Sequence, residues 1–186
     1  LPIIKNEMEQ AKNDLRIEGL LFKYRHFYGS YDYVAESRRW YRREIRILRR
    51  NLNVQSYKDA QGYRIEGRKI RVKLIDAYIN HYGWVKPPQG LVRKKQNFNT
   101  FYDKTAQVLE VADTATFDYG NADKLFHFNG THPKVMQHRI QSANWKFNFD
   151  PTKTRKNLSF RRKVLEKIYE IAGIRLGEYK NYKRVA

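Results

Sequence analysis

The stretch from residue 17 to residue 85 constrains the fold more than any other, because it returns repeatedly to strand-like patterns before Pro87-Pro88 ends it. Residues 17–27 (IEGLLFKYRHF) read as a strand, with Leu20, Phe22 and Tyr24 on one side and Leu21 and Lys23 on the other. Gly29-Ser30 marks a turn. In 37–50 (SRRWYRREIRILRR), Ile45 and Ile47 alternate with Glu44 and Arg46, the pattern of a half-buried strand. Residues 63–72 predict a hairpin around Glu66-Gly67, and 71–82 (RVKLIDAYINHY) a further strand.

Helical signals flank this stretch. Residues 3–13 predict a helix with Ile4, Met8 and Ala11 on one face. Residues 90–109 predict another, with Leu91, Lys95, Phe98 and Tyr102 along one side. Residues 112–131 read as loop. Thr131-His132-Pro133 reads as a helix start, with the helix running to about Ala143. Residues 159–172 (SFRRKVLEKIYEIA) form the clearest amphipathic helix, carrying Val164, Leu165, Ile168 and Ile171, with Gly173 as its stop. Strands first and helices after argue for the α+β class. The expectation is a small mixed or antiparallel sheet over 17–85 with helices packed on it from 88 onward. By chain position this gives a sheet region, 1–87, and a helical region, 88–186.

Composition narrows the function. Lys and Arg number 38 against 19 Asp and Glu, a net charge of +19 in 186 residues, which points to anionic partners. Aromatic residues make up 15%, too many for a disordered basic tail. The absence of Cys excludes a disulfide framework, a Cys-ligated zinc site and a Cys nucleophile, and fits a reducing compartment. No run approaches about 18 consecutive apolar residues, and no secretory signal pattern is present. The chain opens Leu1-Pro2 rather than with Met, the expected mark of a fragment.

Four features bear on chemistry. Arg38, Arg39, Trp40, Tyr41, Arg42 and Arg43 combine planar guanidinium forks, which grip phosphate, with aromatic faces for stacking on sugars or bases. The same run also reads as a solvated strand edge. Asp59 and Gln61, in SYKDAQGYR, offer a general base, or a turn ahead of Gly62. His81, in INHYGWV, is a metal-ligand type at a strand end, or a hydrogen-bonded structural group. Asp76 has the opposite parity to His81, which makes it a poor partner. His26, His127, His132 and His138 form no metal-binding spacing, and GxxxxGK[ST], GxGxxG and GxSxG are all absent. Finally, the basic residues are scattered from end to end, which disfavours a nucleic-acid-binding module. An anionic membrane leaflet matches the charge equally well, and residues 153–184 suit it.

The runs LLFKYRHFYGSYDYVAESRRWYRREIRILRR, SYKDAQGYR and GRKIRVKLIDAYINHYGWVKPP resemble bacterial family 2 glycosyltransferases, as do the later FNGTHPKVMQHRI and NWKFNFD. The resemblance runs from about residue 17 to the end. It implies part of a GT-A fold and transfer of a sugar from a nucleotide-sugar donor to a glycan or lipid-linked acceptor, with Mg²⁺ or Mn²⁺. It implies synthesis of lipopolysaccharide or another surface polysaccharide, in the cytoplasm or peripherally on the inner membrane face. Such enzymes carry a donor-binding half with an acidic DxD-type metal motif, and no such motif precedes residue 17, so the chain reads as an acceptor-side half. Carried over by position, Asp59 would be the catalytic base, with Asp32 and Glu36 as competitors, and His81 the metal ligand. Arg38, Arg39, Trp40, Gln61 and Trp84 would line the donor and acceptor side. A half-domain exposes sheet edges, so homo-oligomerisation is expected. The alternative is a non-catalytic basic domain that binds anionic membranes or nucleic acid.

Overall fold

The computed structural model describes residues 1–57, 59–102, 124–147, 149 and 159–185, with the backbone alone for Asp59–Gln61, Phe98, Phe101 and Tyr102. The fold is mixed α+β. Helix α1 (Pro2–Asn13) precedes strands β1 (Gly19–Tyr28), β2 (Tyr33–Ala35), β3 (Arg43–Leu48), β4 (Val54–Tyr57), β5 (Asp59–Ile65), β6 (Arg68–Lys69) and β7 (Arg71–Trp84). There follow α2 (Pro88–Tyr102), β8 (Leu125–His127), α3 (Gln137–Gln141), α4 (Phe160–Ala172) and β9 (Lys183–Arg184). Two compact units divide the chain, and both are discontinuous. The first comprises Leu1–Arg25, Tyr41–Asn80 and Lys163–Ala186; the second comprises His26–Trp40 and His81–Arg162. The expected boundary at residue 87 follows chain position instead.

In the first unit the strand order is β3-β1-β7-β9. β3 runs antiparallel to β1, and the register slips between Leu20 and Leu21, a bulge. β9 runs parallel to β7, which makes the sheet mixed. The alternation in β1 loads both faces. Leu21 packs with Ile45, Ile65, Ile70 and Val72, while Leu20 and Phe22 pack with Ile17 and Ile75. Gly19 sits where a Cβ would lie 2.8 Å from the Ile47 carbonyl oxygen, so the bulge needs glycine there. β4, β5 and β6 form a separate antiparallel sheet. Its β5–β6 turn has Glu66 at φ 51° and Gly67 at φ 77°, two left-handed residues as a type I′ hairpin requires.

Two polar staples hold this unit. Arg49 donates to the carbonyls of Ala11, Asp14 (2.9 Å) and Ile17 (2.9 Å), closing the end of α1 that its own ladder leaves open. The Glu18 side chain, 3% exposed, accepts from Arg68 Nη1 and Nη2 at 2.9 and 2.7 Å. It also accepts from the Arg71 backbone N–H at 2.7 Å and from Arg71 Nη2 at 3.0 Å. The Arg68 fork holds the Glu18 carboxyl down at about 2, reinforced by Arg71 and opposed by burial.

The second unit has strand order β8-β2-β1-β7. Phe27, Tyr31, Val34 and Val85 are buried together under Tyr82, Phe128, Ile140 and Trp145. Tyr28, Ala35 and Leu91 form the other core, with Trp40, Trp84, Leu125 and Phe147 against it. Gly29 (φ 73°) turns the chain after β1, and a Cβ there would collide with the Phe147 ring. Its carbonyl accepts from Trp145 Nε1 at 2.8 Å.

Several expectations need correction. Leu125–His127, expected as loop, is an edge strand paired with β2 (Val34 opposite Phe126), a contact too short to leave a periodic signature. The helix expected over 131–143 shrinks to a 3-10 turn (Lys134–Met136) and α3, because Pro133 is extended (ψ 143°) and precedes the turn. Thr131 therefore does not cap it. On α2 the inward side carries Leu91 and Lys94, whereas Lys95 is exposed. Residues 103–109 and 112–123 of the expected helix and loop lie outside the described residues.

Candidate functional site

The residue types singled out for chemistry meet in the second unit, where the ends of β1 and β7 meet the turn after β2 and the first turns of α2. That turn spans Ser37–Trp40, closed by the Trp40 N–H donating to the Ser37 carbonyl at 3.1 Å. It replaces the strand edge that Arg38 and Arg39 also read as. Arg38 is half-buried and Arg39 exposed, and Trp40 turns inward.

Trp40 packs against His26, with ring centres 4.9 Å apart, and edge-on against Trp84 at 6.0 Å. Tyr28 lies 6.1 Å from both indoles, stacked on Trp84 and edge-on to Trp40. His81 meets His26 edge to face at 5.2 Å. His26 and Tyr28 share a face of β1 by simple alternation. His81 and Trp84 differ in parity. Trp84 is re-aimed because β7 ends in a turn, with the Val85 N–H donating to the Tyr82 carbonyl at 3.0 Å.

Lys94 completes the cluster. Its ammonium donates to the Gly83 carbonyl at 2.8 Å and lies 3.9 Å from the centre of the Trp84 ring, a cation–π contact. Burial lowers its pKa from the ordinary lysine value, and the neighbouring Lys86 charge lowers it further. Gly83 leaves room for the His81 and Lys94 side chains. A Cβ there would stand 2.6 Å from His81 Nε2 and 3.3 Å from Lys94 Nζ. Thus an imidazole edge and an ammonium flank one glycine, walled by two indoles and a phenol. Such a set places N–H donors beside aromatic rings.

The described residues do not build a divalent-metal site around His81. Among them no three His, Asp or Glu side chains come together. The His26 imidazole beside His81 does not supply the hard carboxylate oxygens that Mg²⁺ takes. Asp76 engages Lys23 at 2.6 Å. Asp32 accepts from Ser30 Oγ at 3.3 Å within its own turn. Asp59 and Gln61 belong to β5 in the first unit, and their side chains lie outside the described residues.

Sequence reasoning picked out Trp40, His81 and Trp84 and overlooked Lys94, Tyr28 and His26 as their companions. The signal for Lys94 was its spacing of three from the buried Leu91. Among the described residues no helix is long and apolar enough to cross a membrane. Comparison with family models, curated proteins and solved structures gives no match.

Proposed function

We propose that the chain is the acceptor-side part of a family 2-like glycosyltransferase, acting in surface polysaccharide or lipopolysaccharide synthesis at the cytoplasmic membrane face. The observation that supports this reading is the cluster of Trp40, Trp84, His81 and Lys94. It joins stacking faces to cationic donors, as a nucleoside diphosphate sugar requires. In this reading the acceptor hydroxyl gives its proton to a general base, the role that the resemblance gives Asp59. The hydroxyl oxygen then forms the new bond to the anomeric carbon, and the bond from that carbon to the diphosphate oxygen breaks. Lys94, His81 and the Arg38-Arg39 pair offset the charge that develops on the leaving diphosphate. Mg²⁺ or Mn²⁺, when bound, would offset further charge on the diphosphate.

Thermal melting of the chain with UDP-, GDP- and dTDP-sugars, each with and without Mn²⁺, tests the reading. A ligand that binds only the folded state raises the melting temperature by mass action. A rise with one nucleotide class, lost in Trp84→Ala and Lys94→Gln, is the expected result. A cooperative melt that none of the nucleotides shifts refutes a donor role for the cluster.

A further inference from the structure

Helix α4 carries apolar residues on two adjoining stripes, one half-buried and one exposed. Leu165, Ile168 and Tyr169 are half-buried, and the Tyr169 ring receives the Arg42 and Arg175 guanidiniums at 5.7 and 4.5 Å. Arg42 also donates to the Gly173 carbonyl at 3.4 Å and to Glu178 at 3.2 Å, so one side of the helix is anchored. At 100° per residue, Phe160, Val164 and Ile171 fall within about 40° of one another on the second stripe. They are 83%, 41% and 78% exposed. Past the Gly173 cap (φ 66°), Ile174 and Leu176 are exposed too.

Single exposed apolar side chains are ordinary, whereas a continuous stripe marks a contact surface. Its charged surroundings indicate the partner. Lys163 and Lys167 flank the stripe, and Arg161 and Arg162 are exposed in the first turn. The acids on the helix are the half-buried Glu166 and the exposed Glu170, the latter 3.8 Å from Lys167 and so offset by it. A second copy would bring another +19 against this face, whereas a sheet of anionic headgroups complements it. An apolar stripe bordered by Lys and Arg is the pattern of a helix lying in a membrane interface. We infer that α4 and the segment to Leu176 dock on an anionic lipid bilayer, with Phe160, Val164 and Ile171 among the acyl chains and the lysines at phosphate depth. This inference stands apart from the proposed sugar transfer and needs no nucleotide.

Co-sedimentation with phosphatidylglycerol–phosphatidylcholine vesicles, against phosphatidylcholine alone, tests it. Partition onto the anionic vesicles at least about tenfold stronger is expected, weakening as salt is raised. Val164→Asp with Ile171→Asp should cut that partition at least about tenfold, since each aspartate must enter the acyl region. Lys163→Glu with Lys167→Glu should remove the preference for anionic lipid. Because the chain has no Cys, Ile171→Cys can be labelled uniquely with an environment-sensitive dye. Its emission should shift to the blue on anionic vesicles, a readout independent of whether the aspartate variants fold. No partition of the wild-type chain, an unmoved dye, or aspartate variants that still bind would each overturn the inference. So would variants that turn a dimer into a monomer while vesicle binding persists, or binding to DNA in place of vesicles.

Discussion

Replacing Glu18 by Gln removes one charge from a carboxylate that accepts four hydrogen bonds and leaves its shape. The wild-type side chain is 3% exposed and accepts four N–H groups from Arg68 and Arg71. Its pKa is held at about 2, against an ordinary 4.5. That difference corresponds to about 3 kcal/mol of stability. Arg68 and Arg71 are themselves 46% and 42% exposed, so water screens part of the gain. The expected cost of Glu18→Gln at pH 7 is therefore about 2 kcal/mol. The folded pKa lies below the unfolded one, so the contribution is complete above about pH 5 and disappears as pH falls towards 2. Urea unfolding of both proteins at pH 7, 4.5, 3 and 2 measures it. The two stability curves should converge at the acid end. A constant gap across the range, or no gap at pH 7, would refute the assignment of stability to this ion pair.

Further tests probe the site and the hairpin. Asp59→Asn should abolish sugar transfer by the complete enzyme and leave nucleotide-sugar binding intact; unchanged turnover removes Asp59 from the mechanism. Gly83→Ala should displace the His81 ring, because the new Cβ would stand 2.6 Å from Nε2, and should weaken nucleotide-sugar binding in calorimetric titration. His81→Ala should weaken that binding too, and an affinity equal to wild type would make His81 structural. Glu66→Asn should stabilise the chain by about 0.5 to 1 kcal/mol in denaturant unfolding, since Asn tolerates the left-handed conformation that Glu66 adopts.

What the sequence made legible depended on whether local chemistry or a distant partner decided each element. β1 was legible because Leu20, Leu21 and Phe22 are apolar on both parities, and both faces carry core. The Glu66-Gly67 turn was legible from glycine alone. Parity also separated Asp76 from His81, and Asp76 is engaged with Lys23. β8 and β9 escaped because strands of three and two residues carry no period, and their place is set by the edges they pair with. Within the site, Trp40 and His81 stood out by residue type. Lys94 did not, since one lysine among Arg93, Lys94 and Lys95 looks like its neighbours until packing sets the helix face. Trp84 was named through the resemblance alone; a turn at the end of β7, invisible to parity, orients its ring.

The interleaving of the two compact units sets the order in which the chain can fold during synthesis. The first unit needs β9, whose Lys183 and Arg184 extend β7, and Val185, which packs with Leu20, Phe22 and Ile75. The ribosome delivers β1 early and β9 more than 150 residues later. Until then β7 has an open parallel edge, and the Ile75 cluster lacks a wall. The second unit is inserted between the pieces of the first, and it can close once residue 162 has emerged. Maturation of the first unit is thus a late, long-range closure, and strand-pairing errors at the β7 edge concentrate in the interval before it.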